Sequence, residues 1–149
     1  MIPGFDIGMK PILRLSGSVV LVLVLSGCTQ DDRDNARIDV RGDWKVEVIG
    51  DARVIEDSPA TISFEDEQRV DGNASCNRYF GSYTLERGKL ELSQLGSTMM
   101  ICSELLMEQE DRFLRALGEV SQAESVDNEL ILKDEQGKIL IRGSRTFDQ

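Results

Sequence analysis

Asn73-Ala-Ser-Cys-Asn-Arg-Tyr-Phe-Gly-Ser-Tyr83, answered by Ser97-Thr-Met-Met-Ile-Cys102, is the stretch on which the reading of this chain turns. The first part sets a cysteine in a polar, turn-prone run and then enters an aromatic strand, with Tyr79, Gly81, Tyr83 and Leu85 on one face. The second part brings another cysteine back just before a helical pattern. Ser103 reads as its N-cap, Glu104 to Leu117 as the helix and Gly118 as its end, with Leu106, Phe113, Leu114 and Leu117 on one face.

Outward from there the period is two. Trp44, Val46 and Val48 alternate with Lys45 and Glu47, and Ala60, Ile62 and Phe64 with Thr61 and Ser63. Leu90 and Leu92 follow the Arg87-Gly88 turn. Beyond the helix, Ser121–Val126, Glu129–Lys133 and Lys138–Arg142 are separated by Asp127-Asn128 and Asp134–Gly137. Short strands joined by tight turns predict a mainly β fold: a single antiparallel meander closing into a small barrel, with one helix covering an opening.

The quoted residues resemble the META domain, the HslJ-like family of small bacterial envelope proteins. The matching positions are Gly72, Cys76, Asn77, Gly81, Ser82 and Tyr83, then Thr98, Met100 and Cys102, then Glu110, Phe113 and Leu117. The similarity runs from about Trp44 to the C-terminus. Ser75 departs from it, standing where the family usually has glycine. The resemblance implies little defined chemistry, but it carries an association with heat-shock and antibiotic-tolerance roles.

Residues 1–27 read as a lipoprotein signal peptide. Lys10 and Arg14 precede the apolar run Val19–Leu25, and Met9 is an alternative start. Leu25-Ser-Gly-Cys28 resembles a bacterial lipobox, with Cys28 as the lipidation site, and the apolar run is shorter than the ~20 residues a span requires. Thr29 follows where enteric-type bacteria place aspartate for inner-membrane retention, so the expected address is the outer membrane, with the domain facing the periplasm. Residues 28–40 read as a flexible tether, polar and unable to build a core, and residues 41–147 as the folded domain.

The 149-residue chain has a formal net charge of -10 and no histidine. The charge excludes a nucleic-acid partner, which calls for Lys and Arg on phosphates, and disfavours anionic lipid headgroups. Without histidine, Ser-His and Cys-His catalysis and His-ligated zinc are absent. Phe64-Glu-Asp-Glu67 and Asp134-Glu135 lack the alternation of a calcium loop, so no metal and no cofactor are expected.

Export to an oxidising compartment favours a Cys76–Cys102 disulfide, with two buried free thiols as the alternative. Asn73, Ser75, Asn77 and Arg78 surround it, either as a recognition loop or, by preference, as side chains satisfying the backbone of an irregular turn. Glu110 falls in the apolar arc of the helix, about 40° from Leu106 at 100° per residue. A carboxylate there needs partners, expected to be backbone N–H groups near Cys76–Arg78, or Arg78 itself. Three functions are therefore weighed. The first is a non-catalytic envelope module with a membrane partner through its anchor and an envelope-protein partner. The second is a lipocalin-like carrier of a small apolar ligand, lined by Trp44, Phe64, Tyr79 and Tyr83. The third is an enzyme using Glu110 or Asp71 as a lone acid or base.

Overall fold

The computed structural model describes residues 38–146, which lie within one compact unit. The signal segment, Cys28 and the tether as far as residue 37 lie outside the described residues. Nine strands form in order: β1 (Gly42–Ile49), β2 (Ala52–Arg53), β3 (Thr61–Phe64), β4 (Arg69–Asn73), β5 (Arg78–Glu86), β6 (Lys89–Ser97), β7 (Gln122–Val126), β8 (Glu129–Lys133) and β9 (Ile139–Arg145). One helix, α1 (Glu104–Glu119), stands between β6 and β7. Each strand from β3 onward pairs antiparallel with the next, β1 pairs with β3, and β9 returns to β1. Eight strands thus close the barrel that the alternating pattern predicts, while β2 is a two-residue addition beside the end of β1.

Closure requires close approaches between strands. β1 and β9 pair Val46 with Gly143, beside a bulge in β1. A Cβ at Gly143 would sit 2.8 Å from the Lys45 carbonyl oxygen, so the seam needs glycine there. Gly72 is tighter still: a Cβ would lie 2.2 Å from the Thr61 oxygen of the neighbouring strand.

Side chains fill the interior. Trp44, Phe64, Tyr79, Ile62, Leu90, Leu130, Leu132 and Ile141 are fully buried, and Phe113 and Leu117 of α1 close over them. The rings meet edge to face: Tyr79 on Phe113 at 5.5 Å, Phe64 on Tyr83 at 4.9 Å. Such pairs add about 0.5–1.5 kcal/mol beyond the area they bury. Burial also pushes the Tyr79 hydroxyl far above its ordinary pKa, helped by the charge of Asp71.

Two boundaries differ from the sequence reading. The fold reaches back into the segment read as tether: Val40 is buried in the core and its carbonyl accepts the Trp44 indole N–H at 2.7 Å. Two apolar side chains suffice there, Val40 in the core and Ile38 packed against it. At the helix end, Gly118 lies inside α1, which continues to Glu119. The tertiary pairing sets that end instead, because Ser121 must be extended for its carbonyl to accept the Leu90 N–H at 2.9 Å. Ser103 holds the N-cap position in extended conformation but makes no side-chain capping bond. Its carbonyl accepts the Met107 N–H.

The two ends of the barrel are distinct. β1 begins beside the β3–β4 connection, with Gly42 opposite Phe64. The loop from β4 to β5 lies at the other end, where Ala60 bridges Ala74.

Candidate functional site at the cysteine loop

Three connections meet at that second end, namely residues 54–60, the β4–β5 loop 74–77 and the β6–α1 loop 98–103, and α1 fastens them together. Cys76 and Cys102 form a disulfide with Cα atoms 5.9 Å apart, within the ordinary range for the bond. The bridge joins the β4–β5 loop to the residue that leads into the helix.

Asn77 is buried beside it and uses all of its polar atoms. Its Oδ1 accepts the Met100 N–H at 2.7 Å and the Thr98 hydroxyl at 2.8 Å. Its Nδ2 donates to the Met100 carbonyl at 3.2 Å and to Glu110 Oε1 at 2.9 Å. The amide therefore grips the backbone N–H and C=O of one residue of the β6–α1 loop, as a neighbouring strand would, and its own backbone carbonyl accepts the Ala74 N–H.

Glu110 is buried, and its carboxylate faces into the loop. Oε2 accepts the Asn77 N–H at 2.6 Å and the Cys76 N–H at 3.1 Å. Of the two partners expected from sequence, the structure supplies the backbone N–H groups. Arg78 instead pairs with Asp71 at 3.0 Å on the exposed face of β4 and β5. Three converging donors satisfy an acceptor-only carboxylate inside a largely dry site.

The neighbouring residue on α1 escaped the sequence reading. Gln109 is 0 % exposed. Its Oε1 accepts the Ile55 N–H at 2.7 Å, while Nε2 donates to the hydroxyls of Ser58 and Ser75 at 2.8 and 2.7 Å. The signal was present: Gln109 stands three residues after Leu106 and four before Phe113, on the apolar arc.

Ser75 explains its own irregularity. Its φ is +110°, a region in which side chains other than glycine's are strained, and here serine's hydroxyl accepts a bond from Gln109 in return. Asn73 Oδ1 accepts the Ser75 N–H at 2.9 Å, turning the chain into the loop. Tyr83 is not brought to this cluster. It stands towards the other end, its hydroxyl donating to the Glu65 carbonyl at 3.2 Å, with burial raising its pKa.

The arrangement is a fastening. Glu110 is engaged by three donors and Asp71 by Arg78, so neither carboxylate is held open towards a substrate. Among the described residues, no cluster of three or more Cys, Asp or Glu side chains could hold a metal ion. The positions gathered here (Cys76, Asn77, Thr98, Met100, Cys102, Glu110 and Phe113) are seven of the twelve at which the sequence resembles the family, and the model of the META domain matches residues 37–146. The chain belongs to the META domain family. It is 27% identical over 123 residues to the heat shock protein HslJ of Escherichia coli (strain K12), covering 80% of this chain and 87% of that protein. An NMR structure of a protein from Burkholderia xenovorans is 27% identical with a TM-score of 0.58, covering 71% of this chain and 83% of that one. A crystal structure of a DUF4847 family protein from Bacteroides vulgatus, 16% identical, has a TM-score of 0.53 over 72% of this chain and 94% of that one. At that identity the likeness is one of fold alone.

Proposed function

We propose that this META-family protein is a non-catalytic lipoprotein, anchored through Cys28 to the outer membrane and facing the periplasm, where it supports envelope integrity under stress. The observation that carries the non-catalytic part is the use of Glu110: the one buried acidic side chain of the site is spent on holding Cys76 and Asn77. The stress role leans on the likeness to a relative named as a heat shock protein, and the address on the lipobox-like Leu25–Cys28 and on Thr29. Metabolic labelling with a palmitate analogue tests the anchor. Wild type should take up label and Cys28→Ala should not; equal labelling of the two would remove the anchor from this account.

The carrier reading draws on the barrel itself. Of its proposed lining residues, Phe64 packs on Tyr83, Tyr79 on Phe113, and Trp44 lies buried under the Arg145 guanidinium, so a ligand would have to displace side chains that fill the interior. Displacement of a lipophilic fluorophore, with a shift of Trp44 emission, would favour it.

A further inference from the structure

The loop that Asn77 grips carries an apolar tip left uncovered by the other described residues. Met99 is 95 % exposed and Ile101 94 %; Leu105 in the first turn of α1 and Phe80 on β5 are also exposed. These side chains are not exposed because the segment is loose. The Met100 N–H and C=O are both held by Asn77, the Thr98 N–H donates to the Arg78 carbonyl, and Cys102 is bridged to Cys76. In a chain with 30% charged residues, none occurs between Glu91 and Glu104. The result is a rigid, uncharged, convex knob. Its ordering cost is met within the fold, the condition under which a contact surface is pre-organised.

We propose that this knob inserts into the hydrocarbon layer of the membrane that holds the lipid anchor. The proposal rests on the anchored reading above, and three observations select a bilayer as the occupant. A convex tip with nearly complete exposure suits a deformable apolar phase better than a flat protein face. The segment that bears Met99 and Ile101, Leu92 to Ser103, itself carries no charge that insertion would have to desolvate. With a net charge of -10 the chain gains nothing from anionic headgroups, so contact must be made through apolar side chains. Reach is sufficient although the chain enters the barrel at the opposite end. The ten residue steps from Cys28 to Ile38 extend up to ~35 Å, against ~26 Å for the eight residues of β1. The barrel can therefore tip over onto the surface that tethers it. The anchor holds the knob at a high effective concentration, so a small apolar tip serves as a second, weaker membrane contact.

The test uses Ile101→Trp as a reporter. The core lies between Val40 and Ile141, so the chain from Thr29 onward keeps the whole barrel. It is held by an N-terminal hexahistidine on vesicles of phosphatidylcholine and phosphatidylethanolamine containing a nickel-chelating lipid, with and without dibrominated phosphatidylcholine. Buried Trp44 provides a constant background. The Ile101→Trp signal should lose most of its emission to the bromines. Val126→Trp, exposed at the other end of the barrel, should keep its emission, and adding Met99→Asp to Ile101→Trp should restore the lost signal. Equal, weak quenching of Ile101→Trp and Val126→Trp would overturn the proposal. If sedimentation then rose with concentration, the knob would be assigned to a second copy of the chain. In a parallel arm, the protein isolated from membranes is analysed for lipid mass on Cys28. Its absence would overturn the anchor, while the nickel-held arm still decides insertion.

Discussion

Replacing Glu110 by Ala and by Gln separates the fastening from any other use of this residue. In Glu110→Ala the N–H groups of Cys76 and Asn77 and the Asn77 amide lose their common acceptor. Removing one partner from a buried charged arrangement costs about 3–5 kcal/mol. Glu110→Gln is more telling. All three contacts donate towards the carboxylate, and an amide can offer only one oxygen, so either orientation points its NH2 at a donor. With hydrogen bonds to charged groups at about 1.5–3 kcal/mol each, the amide should cost ~2–3 kcal/mol despite its nearly identical shape. A domain of this size has only about 5–15 kcal/mol in total, so both losses are large. Urea unfolding followed by the emission of the single, fully buried Trp44 measures them with the disulfide intact. If both variants unfolded within ~0.5 kcal/mol of wild type, the range of ordinary surface substitutions, the reasoning would be refuted.

Replacing Cys76 and Cys102 together by Ala should cost about 3.5 kcal/mol in the loop-entropy model, and non-reducing peptide mapping of wild type should show the two cysteine peptides joined. At position 75 the contrast of two variants is informative. Ser75→Ala keeps the strained φ and loses the Gln109 contact, so it should be less stable than Ser75→Gly by about 1–2 kcal/mol in thermal or urea unfolding; equal stabilities would show that φ is unstrained. For Tyr79 the folded state raises the pKa, so its contribution to stability is complete below the ordinary tyrosine value of about 10 and is lost as pH rises through the folded value. Phenolate absorbance at 295 nm should therefore show Tyr79 ionising only with unfolding, and Tyr79→Phe should flatten the alkaline decline in stability.

The barrel was legible because each strand has one wet and one dry face, and the alternation from Ala60 to Phe64 and from Trp44 to Val46 records this directly; beyond Val46 the bulge in β1 passes the buried place from Val48, as the alternation has it, to Ile49. Glu110 was legible as a misfit on an apolar arc. Gln109 was not, because an uncharged amide on that arc looks like a boundary residue until its partners, Ser58 and Ser75, are brought from far along the chain. Gly118 misled because local signals place a helix end only when tertiary pairing agrees, and here the approach of Ser121 to Leu90 decides it. The outward path of Met99 and Ile101 was equally hidden. Apolar character alone does not say which way a run of Met, Met and Ile faces; with Met100 held by Asn77, Met99 and Ile101 stand exposed.

The claim of an anchored envelope module is tested most directly by survival of a deletion strain under heat and hydrophobic antibiotics, complemented with wild type or with Cys28→Ala at equal protein levels. The account predicts reduced survival of the deletion strain, full rescue by wild type and no rescue by Cys28→Ala. Undiminished tolerance in the deletion strain, or complete rescue by Cys28→Ala, would contradict it.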